Sequence, residues 1–136
     1  MPKFSDASKL KLNTCSPLLR TLFNTVIENY DCQILEGHRG QEAQDKAFAE
    51  GKSKLKWPHG KHNSLPSKAV DVAPFPIDWK DTKRFYHFSG YVQGIASSLG
   101  IKLRWGGAWN DNDDGDIGDF NTPGQLSDLV HFELLE

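Results

Sequence analysis

The sequence predicts a small mixed α+β domain. Two segments carry apolar residues at helical spacing, and a third segment, closed by glycine, also fits a helix. About four short apolar runs fit strands, and glycine or proline stands at most of their ends. No repeat or linker divides the 136 residues, and a chain of this length corresponds to one domain, which we expect to span residues 1–136. These patterns leave the order of the strands in the sheet open.

The elements can be placed by their start and stop signals. Ser16 is an N-cap residue and Pro17 fits the first helical position, so the first helix begins there. Gly51 and Gly100 follow the second and third helical patterns as C-terminal stops. Polar residues, glycine and proline fill the two longest connections, which we expect to be loops. We predict helices over 16–30, 41–50 and about 81–99, strands over 32–35, 69–73, 101–105 and 130–135, and loops over 52–67 and 106–124.

Composition narrows the class of protein. Sixteen Lys and Arg against 18 Asp and Glu give a formal charge of −2, and no basic stripe accompanies the tryptophans, so we expect no nucleic-acid partner. No apolar run approaches the roughly 20 residues that cross a bilayer. The N-terminus also lacks the apolar stretch of a signal peptide, which predicts a cytoplasmic protein without membrane insertion. In that compartment we expect Cys15 and Cys32 to be free thiols.

Two histidines and one acid form the informative chemical group. Asp71 interrupts an otherwise apolar strand, and a buried carboxylate is costly unless a cation or metal ion lies beside it. His131 lies between apolar neighbours in the last strand, and His62 lies in the loop before the Asp71 strand. Two imidazoles and one carboxylate suit catalytic zinc, which keeps three protein ligands and leaves a fourth position to water. Spacing alone leaves a surface histidine or a satisfied core histidine as the alternative, and we keep that interpretation for His87.

Four stretches match known motifs in order. Residues 60–74, GKHNSLPSKAVDVAP, place a histidine in a polar turn before Ala-Val-Asp in an apolar strand. An acid stands three residues before a histidine in residues 127–133, SDLVHFE. An arginine stands at a strand end in residues 36–39. The fourth stretch, residues 101–110, is IKLRWGGAWN. Together, over about residues 16–136, they resemble the D-Ala-D-Ala carboxypeptidase/L-alanyl-D-glutamate peptidase family, in particular its bacteriophage endolysin branch. The resemblance implies a small antiparallel sheet with about three helices packed around it, as in Hedgehog and DD-peptidase domains.

The resemblance also implies a zinc peptidase site. The zinc ligands would be His62, Asp71 and His131. Asp128 would act as general base toward the attacking water and then as acid toward the leaving amine. Arg39 would stabilise the oxyanion or hold a substrate carboxylate.

Several alternatives accompany these assignments. Arg39 could instead form a surface salt bridge, and Asp128 could be only a turn residue. His59, three residues before His62, is a rival ligand. Glu133 is expected to orient a ligand histidine rather than to take part in catalysis.

The motif around the first ligand departs from the family pattern in two ways. Eight residues separate His62 from Asp71, whereas the most familiar members have six, and we expect the extra length at residues 64–66 to bulge outward. Gly60 stands where a serine is often found.

The endolysin resemblance favours hydrolysis of the L-alanyl-D-glutamate bond in peptidoglycan stem peptides during host lysis. Such a protein would stay in the host cytoplasm until a holin releases it to the periplasm of a Gram-negative host, and we expect a monomer. One alternative is a D,D-carboxypeptidase acting on D-Ala-D-Ala ends. Another is a zinc-containing wall-binding module without catalytic activity.

A second cation site is predicted in the glycine- and aspartate-rich loop. Oxygen-bearing side chains alternate there as in the first half of an EF-hand: Asn110, Asn112, Asp114 and Asp116. The glutamate expected at position 12 of an EF-hand loop is replaced by Asn121, so a full EF-hand is absent. The hypothesis is a Ca²⁺ site, and the alternative is a solvated acidic loop.

Overall fold

The computed structural model describes residues 2–53, 55–108 and 128–135. Helices and strands in these residues combine into an α+β fold, as predicted, around one antiparallel sheet. Two 3-10 turns, Lys61–Asn63 and Gly106–Ala108, lie in the connections. The elements are α1 Asp6–Leu12, α2 Pro17–Val26, β1 Cys32–Glu36, α3 Gln41–Ala49, β2 Ala69–Pro74, α4 Thr82–Ser98, β3 Leu103–Trp105 and β4 His131–Leu134.

The sheet has the strand order β1-β2-β4-β3, with every neighbouring pair antiparallel. In the central pair, Asp71 of β2 lies directly opposite His131 of β4. The β1–β2 register shifts between Ile34 and Glu36, and Glu36 is then paired with Asp71. The C-terminal strand therefore lies beside β2, and residues from three distant parts of the chain meet at one position of the sheet.

One face of the sheet packs against α2 and α4. Because side chains alternate along a strand, Val70 and Val72 of β2 and Phe132 of β4 point to this face, whereas Asp71 and His131 point away from it. Phe132 is fully buried between two helical rings, with ring centroids 5.6 Å from Phe23 and 6.1 Å from Phe88. Burying a side chain of this size stabilises a fold by about 1.5–3 kcal/mol, so β4 is firmly held.

The helix ends follow from capping residues that the sequence indicates. The Ser16 side chain accepts from the Leu18 backbone N–H, and Pro17 is the first helical residue of α2. The Asp81 side chain accepts from the Arg84 N–H at the start of α4. Gly100, just after α4, has φ +72°, a conformation that glycine adopts without steric cost.

Some boundaries differ from the predictions. The first predicted helix ends at Val26 instead of residue 30, because the chain turns at residues 27–29 to enter β1. Leu18 and Leu99, which fit the helical spacing, are 45% and 43% exposed. The strands predicted over 101–105 and 130–135 are shorter, Leu103–Trp105 and His131–Leu134.

Helix α1 was not predicted at all. It is seven residues long, and its buried residues are Ser8 and Leu12. Ser8 accepts a hydrogen bond from the Ile34 backbone N–H at 3.0 Å, so a polar contact helps to hold this helix against β1. A helix so short and so polar gives no apolar periodicity to detect.

Two further predictions concern the thiols and the membrane. Cys15 and Cys32 are free thiols, as predicted, and the structure buries both of them. Among the described residues, no helix combines the length and apolar character that a membrane span requires.

Candidate metal centre and active site

Three side chains meet on the face of the sheet opposite α2 and α4. Asp71 and His131 are cross-strand neighbours on β2 and β4, and His62 reaches them from the 3-10 turn Lys61–Asn63. Asp71 Oδ1 lies 3.2 Å from both His62 Nε2 and His131 Nδ1, and these two nitrogens are 3.3 Å apart. His62 and His131 are buried, and the Asp71 side chain is 14% exposed.

This triangle has the size and chemistry of a metal site. In a tetrahedral site with bonds of about 2.0–2.1 Å, two ligand atoms lie about 3.3 Å apart, as these three donor atoms do. Two imidazole nitrogens and one carboxylate oxygen are also a usual donor set for catalytic zinc. The cluster predicted from the sequence could therefore bind a metal ion.

The nitrogen that each histidine presents is set by a hydrogen bond on the other side of its ring. His62 Nδ1 lies 2.7 Å from the Gly37 carbonyl oxygen and donates to it, which leaves Nε2 facing Asp71. His131 has the opposite arrangement, because its Nε2 lies 2.8 Å from Glu133 Oε1 and its Nδ1 faces Asp71. The other Glu133 oxygen lies 3.2 Å from Lys61 Nζ. These contacts fix both rings, as outer partners of metal-binding histidines usually do.

The charges around the triangle favour a cation. Burial alone would raise the pKa of Asp71, but hydrogen bonds from His131 and His62 hold it below its ordinary range. The pKa of Glu133 is lowered as well, because His131 and Lys61 outweigh its burial. Burial alone would lower the pKa of His131, but hydrogen bonds to Asp71 and Glu133 raise it to about 9. Two carboxylates thus remain ionised around two imidazoles.

Arg39 lies beside the triangle, just after β1. Its backbone N–H donates to the His62 carbonyl oxygen at 2.7 Å. Its guanidinium donates to Glu36 from Nε, at 2.8 Å, and from Nη2, and Nη1 donates to Gln44 Oε1 at 3.0 Å. Nη2 also lies 4.0 Å from Asp71 Oδ2. Arg39 does pair with Glu36, but its side chain is only 15% exposed, so the alternative of a surface salt bridge does not describe it.

Asp128 borders the triangle from the turn before β4. Its backbone N–H donates to the Gly106 carbonyl at 3.2 Å, and its own carbonyl accepts from the His131 N–H at 3.2 Å. Burial and the nearby Asp71 charge raise the pKa of the Asp128 carboxyl. Gly106 permits this approach, because a Cβ there would lie 3.0 Å from His131 Cβ and 3.1 Å from Asp128 Cβ.

The two departures from the family pattern have structural counterparts. Leu65 is 71% exposed and Pro66 is exposed, so the extra residues between His62 and Asp71 bulge outward as predicted. A Cβ at position 60 would lie 2.8 Å from Asn63 Oδ1 and 3.1 Å from Gln44 Oε1, so a serine there would require the Asn63 side chain to shift.

The remaining predicted residues lie elsewhere. His59 is exposed and does not belong to the cluster of His62, Asp71 and His131 that is found in the described part of the chain. His87 is exposed, and its Nδ1 lies 2.8 Å from the Tyr30 hydroxyl. The four residues of the predicted calcium site, 110, 112, 114 and 116, lie outside the described residues, and that site stays a prediction.

Sequence reasoning missed two polar residues that connect Arg39 with the turn that carries His62. Asn63 follows His62 directly and donates to the Arg39 carbonyl at 3.2 Å and to Gln44 Oε1 at 3.0 Å. Gln44 lies five residues after Arg39 on α3 and is fully buried. Only their positions in the sequence could have pointed to them, because Asn63 lies next to His62 and Gln44 lies near Arg39.

Comparisons with known proteins agree with the geometry. The family model of phage L-alanyl-D-glutamate peptidases matches residues 1–135. The L-alanyl-D-glutamate peptidase of Escherichia phage T5 is 33% identical over 117 residues, which cover 82% of this chain and 85% of that protein. The crystal structure of the Serratia marcescens L-Ala D-Glu endopeptidase ChiX has the same fold, with a TM-score of 0.75, 23% identity and coverage of 98% of this chain and 90% of that one.

These matches confirm the resemblance inferred from the four motifs and the predicted fold class. The family model alone covers nearly the whole chain, and the phage T5 relative is 33% identical over 82% of it. The chain belongs to the phage L-alanyl-D-glutamate peptidase family.

Proposed function

We propose that the protein is a zinc-dependent peptidoglycan endopeptidase that hydrolyses the L-alanyl-D-glutamate bond of stem peptides during host lysis. The observation that carries this proposal is the triangle of His62 Nε2, Asp71 Oδ1 and His131 Nδ1, with sides of 3.2–3.3 Å, in a chain of this family. Two imidazoles and one carboxylate are a usual donor set for catalytic zinc.

The three side chains would hold the ion, and the groups behind them keep them in place. Zn²⁺ bound there supplies a Lewis acid toward the scissile carbonyl and makes the attacking water more acidic. The Gly37 carbonyl and the Glu133 carboxylate hold the two imidazoles in the required tautomers. Lys61 in turn holds Glu133.

Asp128 is the proposed general base and acid. It would take a proton from the attacking water on its carboxylate and return that proton to the leaving amine as the peptide C–N bond breaks. Its backbone contacts with Gly106 and His131 support this role, because they tie the residue to the metal-ligating strand. The turn before β4 is thus part of the site as well as a connection.

Arg39 is proposed to bind the reacting substrate. Glu36 and Gln44 take three of its five N–H groups among the described residues, which fixes the plane of the guanidinium beside Asp71. The remaining N–H groups would donate to the oxyanion or to a substrate carboxylate. A preorganised donor of this kind stabilises developing charge without having to reorient during the reaction.

The proposed biological setting follows from the substrate. We infer that the protein acts as a monomer on the stem peptides of a Gram-negative host. It would remain in the host cytoplasm until a holin releases it to the periplasm. The phage origin of the 33% identical relative supports this setting.

Mass spectrometry of digested Gram-negative peptidoglycan tests the function. Wild type and Asp45→Ala, which removes an exposed carboxylate on α3, should release stem peptides that begin at D-Glu. Asp128→Ala should release none while retaining its zinc. Released D-Ala would indicate a D,D-carboxypeptidase instead. If zinc is bound and wild type gives neither product, the protein is a wall-binding module and the proposal is wrong.

A further inference from the structure

Gln44 is a fully buried polar residue in α3, whose other residues are at least partly exposed. Its side-chain amide makes four hydrogen bonds. Oε1 accepts from Arg39 Nη1 at 3.0 Å and from Asn63 Nδ2 at 3.0 Å. Nε2 donates to Ser53 Oγ at 3.0 Å and to the Leu55 carbonyl at 2.5 Å. An amide can offer two donors and two acceptor positions, so every position is used.

The two contacts of Oε1 lead to different parts of the site. One runs to the guanidinium of Arg39. The other runs to Asn63, which directly follows the candidate ligand His62 and also donates to the Arg39 carbonyl at 3.2 Å. Asn63 Oδ1 accepts from the Gly60 N–H at 2.8 Å, which closes the turn around His62. One oxygen atom of Gln44 therefore connects the arginine with the turn that carries His62.

The two donors of Gln44 fix the other end of this connection. They bind the chain that follows α3, so the amide cannot rotate without breaking contacts on both sides. A buried amide is costly when its donors and acceptors lose their partners, whereas an apolar side chain of similar size carries no such penalty. Packing alone therefore does not account for glutamine at this position.

We propose that Gln44 is a positioning residue of the peptidase site: it sets the orientation of the Arg39 guanidinium and of the turn that carries His62. It acts through Arg39 and Asn63 and contacts neither the triangle nor the substrate. This inference rests on the proposed function, because it assigns Gln44 a role in the same reaction.

Gln44→Leu tests the proposal by removing all four hydrogen bonds while keeping a similar volume. The kcat for stem-peptide hydrolysis should fall by about 10- to 100-fold, because small misplacements of catalytic groups cause losses of that size. The change in KM should be smaller. Zinc content and far-UV circular dichroism should stay as in wild type. Gln41→Leu, an exposed change on the same helix, is the matched control and should keep its kcat.

Two more variants separate positioning from a purely structural role. Gln44→Glu keeps an acceptor for Arg39 and Asn63 but loses the donor to the Leu55 carbonyl, so it should restore part of the kcat that Gln44→Leu loses. Because Gln44 acts partly through Arg39, the effects of Gln44→Leu and Arg39→Lys should be less than additive in the double variant. A folded Gln44→Leu with wild-type kcat, or strictly additive losses, would overturn the proposal. If Gln44→Leu does not fold, a Gln44→Glu variant with kcat as low as that of Arg39→Lys would overturn it.

A readout without turnover distinguishes failure of this inference from failure of the proposed function. In ¹⁵N NMR of the zinc-loaded protein, the Arg39 Nη groups should give separate, slowly exchanging signals in wild type and Gln41→Leu. Those signals should average in Gln44→Leu, because Nη1 loses its acceptor. Unchanged signals would refute the positioning role, whether or not the wild type cleaves peptidoglycan.

Discussion

Replacing Gly106 by alanine should disable the site while leaving the fold and the bound metal in place. A Cβ at this position would overlap the Asp128 carbonyl oxygen and would lie 3.1 Å from Asp128 Cβ and 3.0 Å from His131 Cβ. Gly106 does not have a positive φ, so alanine adds no backbone strain and the effect is purely steric.

The size of the activity loss depends on which neighbour of the added Cβ moves, Asp128 or His131. His131 is held in the sheet opposite Asp71 and by Glu133, whereas Asp128 lies in the turn before β4 and is freer to move. Relieving the overlap requires a shift of Asp128 of about 1 Å, and a shift of that size costs about 100-fold in rate, or about 2.7 kcal/mol of transition-state stabilisation.

The assay is kcat/KM on purified stem-peptide substrate, with zinc content and melting temperature measured on the same preparations. Gly90→Ala is the matched control, since a Cβ at that exposed position in α4 would have no neighbour within 4 Å. It should keep full activity and gain up to about 1 kcal/mol of stability from helix propensity. A zinc-loaded Gly106→Ala enzyme with wild-type kcat/KM would refute the reasoning, since Asp128 would then not need its present position.

Three further perturbations follow from the same structure. Removing the metal with a chelator should abolish hydrolysis and lower the melting temperature, because an ion that binds only the folded chain stabilises it. Added Zn²⁺ should restore both activity and melting temperature. Full activity in excess chelator would contradict a metal centre. Glu133→Gln should weaken zinc binding by about 10-fold in competition with a chromophoric chelator, because the charged acceptor for His131 Nε2 is lost; an unchanged affinity would leave Glu133 without the proposed role. Burial raises the pKa of Cys15 to about 11 and of Cys32 to about 12, above the ordinary 9.0. The two thiols should therefore contribute their full share to the free energy of unfolding below pH 9.0. That share should fall as the pH rises toward 11 and 12, because the unfolded chain then releases thiol protons that the folded chain retains. At about pH 8 a thiol reagent should modify both cysteines only after denaturation, and rapid reaction of the folded protein would contradict their burial.

The meeting of Asp71 with two histidines could be predicted because these residues break the local pattern of the sequence. A lone acid in an apolar strand needs a partner, and His131 in a second apolar strand offers one. The pairing of β2 with β4 could not be derived from patterns, because strand order depends on contacts between segments that lie far apart in the sequence. The family motifs implied only that His62, Asp71 and His131 belong to one site, and the structure supplies the pairing.

Gln44 shows why part of the site escaped prediction. Helical spacing favours burial of apolar residues, yet in α3 Phe48 is 38% exposed while Gln44 is fully buried. The burial of α3 is decided by hydrogen bonds to Arg39, Asn63 and the following chain, and hydrogen-bond networks leave no periodic signal in a sequence. The same reason applies to α1, which is held through Ser8.

Anomalous diffraction at the zinc edge from crystals of the zinc-loaded protein would test the central claim most directly. The predicted result is a single strong peak within about 2.0–2.2 Å of His62 Nε2, Asp71 Oδ1 and His131 Nδ1. A zinc peak at another position, such as the exposed His59, with no zinc at the triangle, would contradict the claim.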